Sequence, residues 1–143
     1  MDEVWFVTLH IQIEAVAGRA MHLLWPTLDA VANGDDITIA ATLTIIAETL
    51  TEMKAVLDRM PERCEPFIYY HRVRPFMFGW MDNELLPDGL IYTDVEAWQD
   101  RPVQLRGETG AQSSIVPALD AFLGIEHEFD SMRAYLLEMR DYM

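Results

Sequence analysis

Residues 35–61 read DDITIAATLTIIAETLTEMKAVLDRMP, and their spacing decides the fold class. Ile39, Leu43, Ile46, Leu50, Met53, Leu57 and Met60 alternate by four and three, an apolar seam sustained over about three heptads. A helix gathers such residues on one face, whereas a strand would need alternation by two. Asp35 or Asp36 supplies the oxygen that an N-cap needs. Pro61 closes the segment, because proline cannot extend the backbone ladder.

On the N-terminal side, a first helix is predicted from about Asp2 to Ala32. Trp5, Leu9, Val16, Ala20 and Leu23 form its apolar stripe, and Phe6, Ile13 and Ala17 widen it. Trp5 to Ile13 is apolar nearly all round, which predicts burial. Trp25-Pro26 predicts a kink or break near the end, and Asn33-Gly34 a stop. On the C-terminal side, Pro66 suits the first turn of a third helix reaching about Met81, with an irregularity at Pro75. Residues 82–112 read as a long loop with one turn at Pro87-Asp88-Gly89 and at most a short strand. A stretch of that length is functional or disordered. Ser113 can cap a fourth helix to about Glu126, with Pro117 at its fourth position. A last helix from Ser131 carries Met132, Tyr135, Leu136, Met139 and Tyr142 on one face. The expectation is an all-α chain, one helical domain over residues 1–143 with a long loop at about 82–112.

Composition narrows the function. The 143 residues are 51% hydrophobic, which is rich for an ordinary domain. That excess predicts surface covered by a partner, a cofactor or further sequence, and both ends read as cut rather than finished. Asp+Glu number 24 against Lys+Arg 10, a net charge of −14. Such a surface repels phosphate backbones and anionic membranes, so nucleic acid and membrane are set aside as partners. Cys64 is the single cysteine, so no intrachain disulfide forms, which fits a reducing cytoplasm. Met1-Asp2-Glu3 has the wrong sign for a secretory leader. No apolar run reaches the ~18 residues of a membrane span.

Chemistry concentrates in a few places. His10 lies in the most apolar part of the first helix, one turn after Phe6. It is either a core histidine bonded to a neighbour or a donor and acceptor for a bound ligand. In Tyr69-Tyr70-His71-Arg72-Val73-Arg74, Tyr70 and Arg74 are four apart and share a face. The arginine fork suits a carboxylate, and the rings suit a planar substrate. The competing reading is a surface arginine paired with one of the many acidic side chains. Arg106 to Ser114 holds two glycines ahead of a helix start, a weak signal for a close backbone approach to an anion. His10, His22, His71 and His127 are scattered without metal-ligand spacing, so no self-contained metal site is expected.

Several stretches resemble the indoleamine 2,3-dioxygenase family. They are Arg74 to Trp80, the turn Leu86-Pro87-Asp88-Gly89-Leu90-Ile91-Tyr92, and Gly107 to Gly124. Within the last, Gly110-Ala111-Gln112-Ser113-Ser114, Leu119-Asp120 and Leu123-Gly124-Ile125 are the most specific. Met139-Arg140-Asp141-Tyr142-Met143 also looks like the family's following segment. The resemblance runs in order along nearly the whole chain. It implies a helical bundle like part of the family's large domain, which holds heme b. It implies a catalytic role for His10, similar to the distal histidine of tryptophan 2,3-dioxygenase, where the animal indoleamine enzymes have serine. It implies substrate contacts from Phe6, Tyr69, Tyr70, Arg74 and Gly110, with Arg74 on the substrate carboxylate. The two tyrosine hydroxyls depart from the family's pocket aromatics. Thr109 and Gly110 fall beside the heme. None of the four histidines falls on the family's proximal histidine, which lies beyond the last helix, and the family's smaller N-terminal domain is not represented.

The implied reaction inserts dioxygen into the indole ring of tryptophan or a relative, with an N-formylkynurenine product and a place in tryptophan catabolism. The implied partners are the indole, dioxygen, and the remainder of the enzyme or a second chain. Two other readings stand beside it. One is a related heme enzyme with different aromatic oxidation chemistry, for which His10 and the Tyr69-Tyr70 pair are the distinguishing positions. The other is an inactive helical fragment without the proximal ligand.

Overall fold

The computed structural model of the chain describes residues 1–107, 112–127 and 130–141. In chain order its elements are α1 (Asp2–Met21), α2 (Leu24–Asn33), α3 (Asp36–Leu57), a 3-10 turn (Met60–Glu62), α4 (Pro66–Ile68), a π-helix (Tyr69–Val73), α5 (Arg74–Met77), β1 (Leu90–Ile91), β2 (Pro102–Val103), α6 (Ile115–Leu123) and α7 (Asp130–Asp141). The architecture is helical, as expected. Among the described residues the strands form one antiparallel pair, with Leu90 opposite Val103 and Ile91 opposite Pro102. Contacts divide the chain into two units: Met1–Glu65 with Ala111–Met143, and Pro66–Gly110.

In the first unit, α3 starts where the sequence places it. Asp35 is the N-cap, its carboxylate accepting the Thr38 N–H at 3.1 Å and the Thr38 hydroxyl at 2.6 Å. The buried face, however, is rotated from the expected seam. Thr42, Ile46, Thr49 and Val56 are buried, while Leu43 and Leu57 are 38% and 49% exposed. The threonines tolerate burial because their hydroxyls are satisfied inside the helix. Thr42 donates to the Thr38 carbonyl at 2.9 Å and Thr49 to that of Ile45 at 2.8 Å. Ile46 then packs with Ala17 and Ala20 of α1 and with Ile115 and Leu119 of α6. The two alanines let α1 and α3 approach closely.

The predicted first helix is two. The chain breaks at His22 and Leu23, ahead of Trp25-Pro26, and restarts at Leu24. A proline leaves the carbonyl four residues earlier without its partner and clashes with it. For Pro26 that carbonyl belongs to His22, where the helix ends. Burial of Trp5 to Ile13 is one-sided rather than complete. Leu9 is fully buried, whereas Val7 and Ile11 face outward. At the start of α1, the Trp5 indole N–H donates to the Arg59 carbonyl at 3.1 Å, and the guanidinium groups of Arg59 and Arg63 lie over the same ring. α6 begins one residue later than expected, with Ser114 at the cap position. The Ser113 hydroxyl still accepts the Ile115 N–H at 3.3 Å and donates to Glu14 at 2.6 Å.

The second unit is a short helical stretch followed by loops. Pro75 acts on His71 as Pro26 acts on His22. Here the ladder widens instead of breaking, and the Arg74 N–H reaches back five residues to the Tyr69 carbonyl. Helix ends at Met77, short of the predicted Met81, because residues 78–81 pair with 105–107. The Gly107 N–H donates to the Phe78 carbonyl at 3.0 Å and the Trp80 N–H to that of Leu105 at 2.7 Å. Both glycines are required there. A Cβ on Gly107 would lie 1.5 Å from the Met77 carbonyl oxygen, and Gly79, at φ 75°, would place one 2.3 Å from the Gly107 nitrogen. The close approach that Gly107 permits is therefore to its own chain.

Candidate functional site

In the first unit, Phe6 and His10 sit one turn apart on α1, both half-buried. Their ring centroids are 4.1 Å apart. Nδ1 of His10 lies 2.8 Å from the Phe6 carbonyl oxygen. A carbonyl only accepts, so Nδ1 must carry the proton in this bond. In the neutral ring, Nε2 is then left as an acceptor. The core-histidine reading and the ligand reading thus describe opposite edges of one ring.

In the second unit, Tyr69 and Tyr70 lie in the π-helix, five and four residues ahead of Arg74. The guanidinium of Arg74 lies 5.4 Å from the centre of the Tyr70 ring and 5.1 Å from that of Phe78. Cation–π attraction holds it without neutralising it. No carboxylate among the described residues forms an ion pair with Arg74. The expected competitor, pairing with a surface acid, is thus not seen among them. A hollow of about 340 Å³ opens beside it, lined by Tyr70, His71, Arg74, Phe78, Asp82 and Asn83 among others. That is within the size range of small-ligand sites. His71 packs between Phe67, at 4.4 Å, and Tyr70, at 5.1 Å.

Thr109 and Gly110 lie outside the described residues. Phe78 and Asp82 were not among the sequence candidates. Phe78 had a signal, since it stands four residues after Arg74. Asp82 had none, because its place in the hollow depends on the turn at Gly79.

A heme would need an axial donor. Among the described residues no three His, Cys, Asp or Glu side chains gather as a metal site. His127 is bonded through Nε2 to Asp120 at 2.8 Å, His71 meets a tilted Phe67 ring and an edge-on Tyr70 ring, and His22 is exposed at the break after α1. The residues around Arg74 offer a guanidinium and aromatic faces, groups that suit an aromatic carboxylate. No helix among the described residues is long and apolar enough to cross a membrane.

Comparison with known proteins gives a consistent result. The family model for indoleamine 2,3-dioxygenase matches residues 1–143. An indoleamine 2,3-dioxygenase of Aspergillus nanangensis is 34% identical over 145 residues, covering 99% of this chain and 35% of its own length. Indoleamine 2,3-dioxygenase 1 of Rattus norvegicus is 34% identical over 140 residues, 96% of this chain and 34% of its own. The Saccharomyces cerevisiae protein of the same name is 30% identical over 155 residues, 100% of this chain and 33% of its own. The chain thus spans about a third of the length of these relatives.

Proposed function

Because this chain belongs to the indoleamine 2,3-dioxygenase family, we propose that it carries substrate-handling residues of a heme-dependent dioxygenase that opens the indole ring of tryptophan or a close relative. Both atoms of dioxygen enter across the indole C2–C3 bond, giving an N-formylkynurenine-type product. Heme b supplies that oxygen chemistry when bound. Its axial histidine comes from the remainder of the enzyme or from a second chain, and the proposed setting is the cytoplasm.

The roles follow from each side chain's chemistry. Arg74 takes the substrate carboxylate with its planar fork of donors. Tyr69 and Tyr70 offer ring faces to the indole, and Phe6 offers another. His10, protonated at Nδ1, accepts the indole N–H at Nε2. Thr109 and Gly110 keep the roles that the family pattern implies, beside the heme and the substrate.

One observation carries this reading: Arg74 is fixed by the Tyr70 and Phe78 rings, unpaired with any described carboxylate, at an open hollow. A charge-assisted bidentate contact is worth about 1.5–3 kcal/mol. Arg74→Ala is therefore expected to weaken L-tryptophan binding by roughly tenfold or more, measured by titration calorimetry. Wild-type affinity in that variant removes Arg74 from the role.

A further inference from the structure

Helix α3 carries more apolar surface than its own unit covers. Residues 37–51 hold one charged side chain, Glu48, in a chain that is 24% charged. A helix that is apolar all round is normally buried. Here one side meets α1 and α6, while Ile37 and Ile45 stay 84% and 41% exposed. The exposed residues between those two are uncharged. α2 packs against α3 and adds Trp25, Leu28 and Val31, spaced by three and all exposed. Together these five side chains expose on the order of 600 Å² of apolar surface, the size at which such a surface marks an interaction site.

We propose that this surface of α2 and α3 joins two copies of the chain. The proposal stands apart from the reading of Arg74. Two arguments select a second copy as the occupant. The first is charge. No basic side chain occurs between Arg19 and Lys54, and Asp29 and Glu48 are the acids within α2 and residues 37–51. A surface so poor in charge offers little to a basic partner. A two-fold interface sets one patch against itself, and apolar faces apolar with no opposite charges required. The second is area. Covering the five side chains on both copies would bury about 1,200 Å², the lower end of specific interfaces. The 24 acidic residues, against 10 basic ones, oppose the approach of two such chains. Salt screens that repulsion and leaves the apolar contact in place, so association should strengthen with salt.

The test is sedimentation equilibrium on the 143-residue chain, from about 1 to 200 μM protein, the range in which a modest interface dimerises, at about 150 and 500 mM sodium chloride. The wild type is expected to pass from its 16.5 kDa monomer to twice that mass, at lower concentration in the higher salt. Ile37→Glu places a charge in the contact, where pairing would bury it. It also puts an acid in the first turn of α3, which the helix dipole favours, so the fold is kept. Ile45→Lys repeats the change with the opposite sign, one helical segment on. Each is expected to weaken dimerisation about tenfold or more while keeping the wild-type circular dichroism melt. Ile11→Glu, on the exposed side of α1, is expected to dimerise as the wild type does. A wild type that stays monomeric at the highest protein and salt concentrations overturns the proposal and leaves the surface to a different polypeptide. A dimer that survives Ile37→Glu and Ile45→Lys, or that Ile11→Glu abolishes in their place, puts the interface elsewhere and overturns it too.

Discussion

At the scale of the residue, Asp35 combines a backbone and a side-chain acceptor role at the start of α3. Its carboxyl titrates below its ordinary value, first because the Thr38 hydroxyl donates to it and then because the Thr38 N–H does. Asp2 behaves likewise, held down chiefly by the backbone N–H of Glu65. A depressed folded value means that the charged form stabilises the fold. That contribution is complete above the ordinary aspartate value, about 3.9, and is lost as pH falls through the lower folded value. Asp35→Ala should therefore lower the melting temperature at neutral pH, and the gap to wild type should narrow below about pH 4. Circular dichroism melts from pH 7 to pH 3 measure this. A gap independent of pH would mean that the cap works without its charge.

The helices α1, α3 and α6 show how an element chooses its inner face. A four–three seam treats Leu43 and Ile46 of α3 as equals. In the fold, Ile46 is 2% exposed against α1 and α6, and Leu43 is 38% exposed. Truncating the buried side chain leaves a cavity, so Ile46→Ala should cost about 2–4 kcal/mol in denaturant unfolding. Leu43→Ala should cost under about 1 kcal/mol. Equal costs would restore the seam read from spacing and refute the rotated face. The two prolines argue the same way. Pro26 and Pro75 obey one steric rule, yet one breaks its helix and the other widens it. Which outcome follows depends on whether the Arg74 N–H finds a carbonyl five residues back, a matter the proline itself does not settle.

Across the whole molecule, 24 acidic residues against 10 basic ones make self-repulsion the dominant long-range term. The ion pairs Arg19–Glu52, Lys54–Asp58 and Arg59–Glu62 are all exposed. Exposed pairs contribute little and are themselves screened. Adding sodium chloride from about 10 mM to 150 mM should therefore raise the melting temperature, as screening relieves more repulsion than attraction. A fall with salt would show that the pairs outweigh the net charge.

Helical class, the cap at Asp35, the stop at Gly34 and the family resemblance were all legible in the chain, because each rests on near neighbours or on motif order. So was the pairing of Tyr70 with Arg74, four residues apart on one helix. The choice of Thr42 and Thr49 over Leu43 and Leu57 for the interior was not legible, since it depends on what α1 and α6 present opposite them. Neither was the hollow that joins Asp82 to Arg74. It exists because Gly79 and Gly107 let two backbone segments touch, and contacts between residues far apart in sequence leave no periodic trace along it.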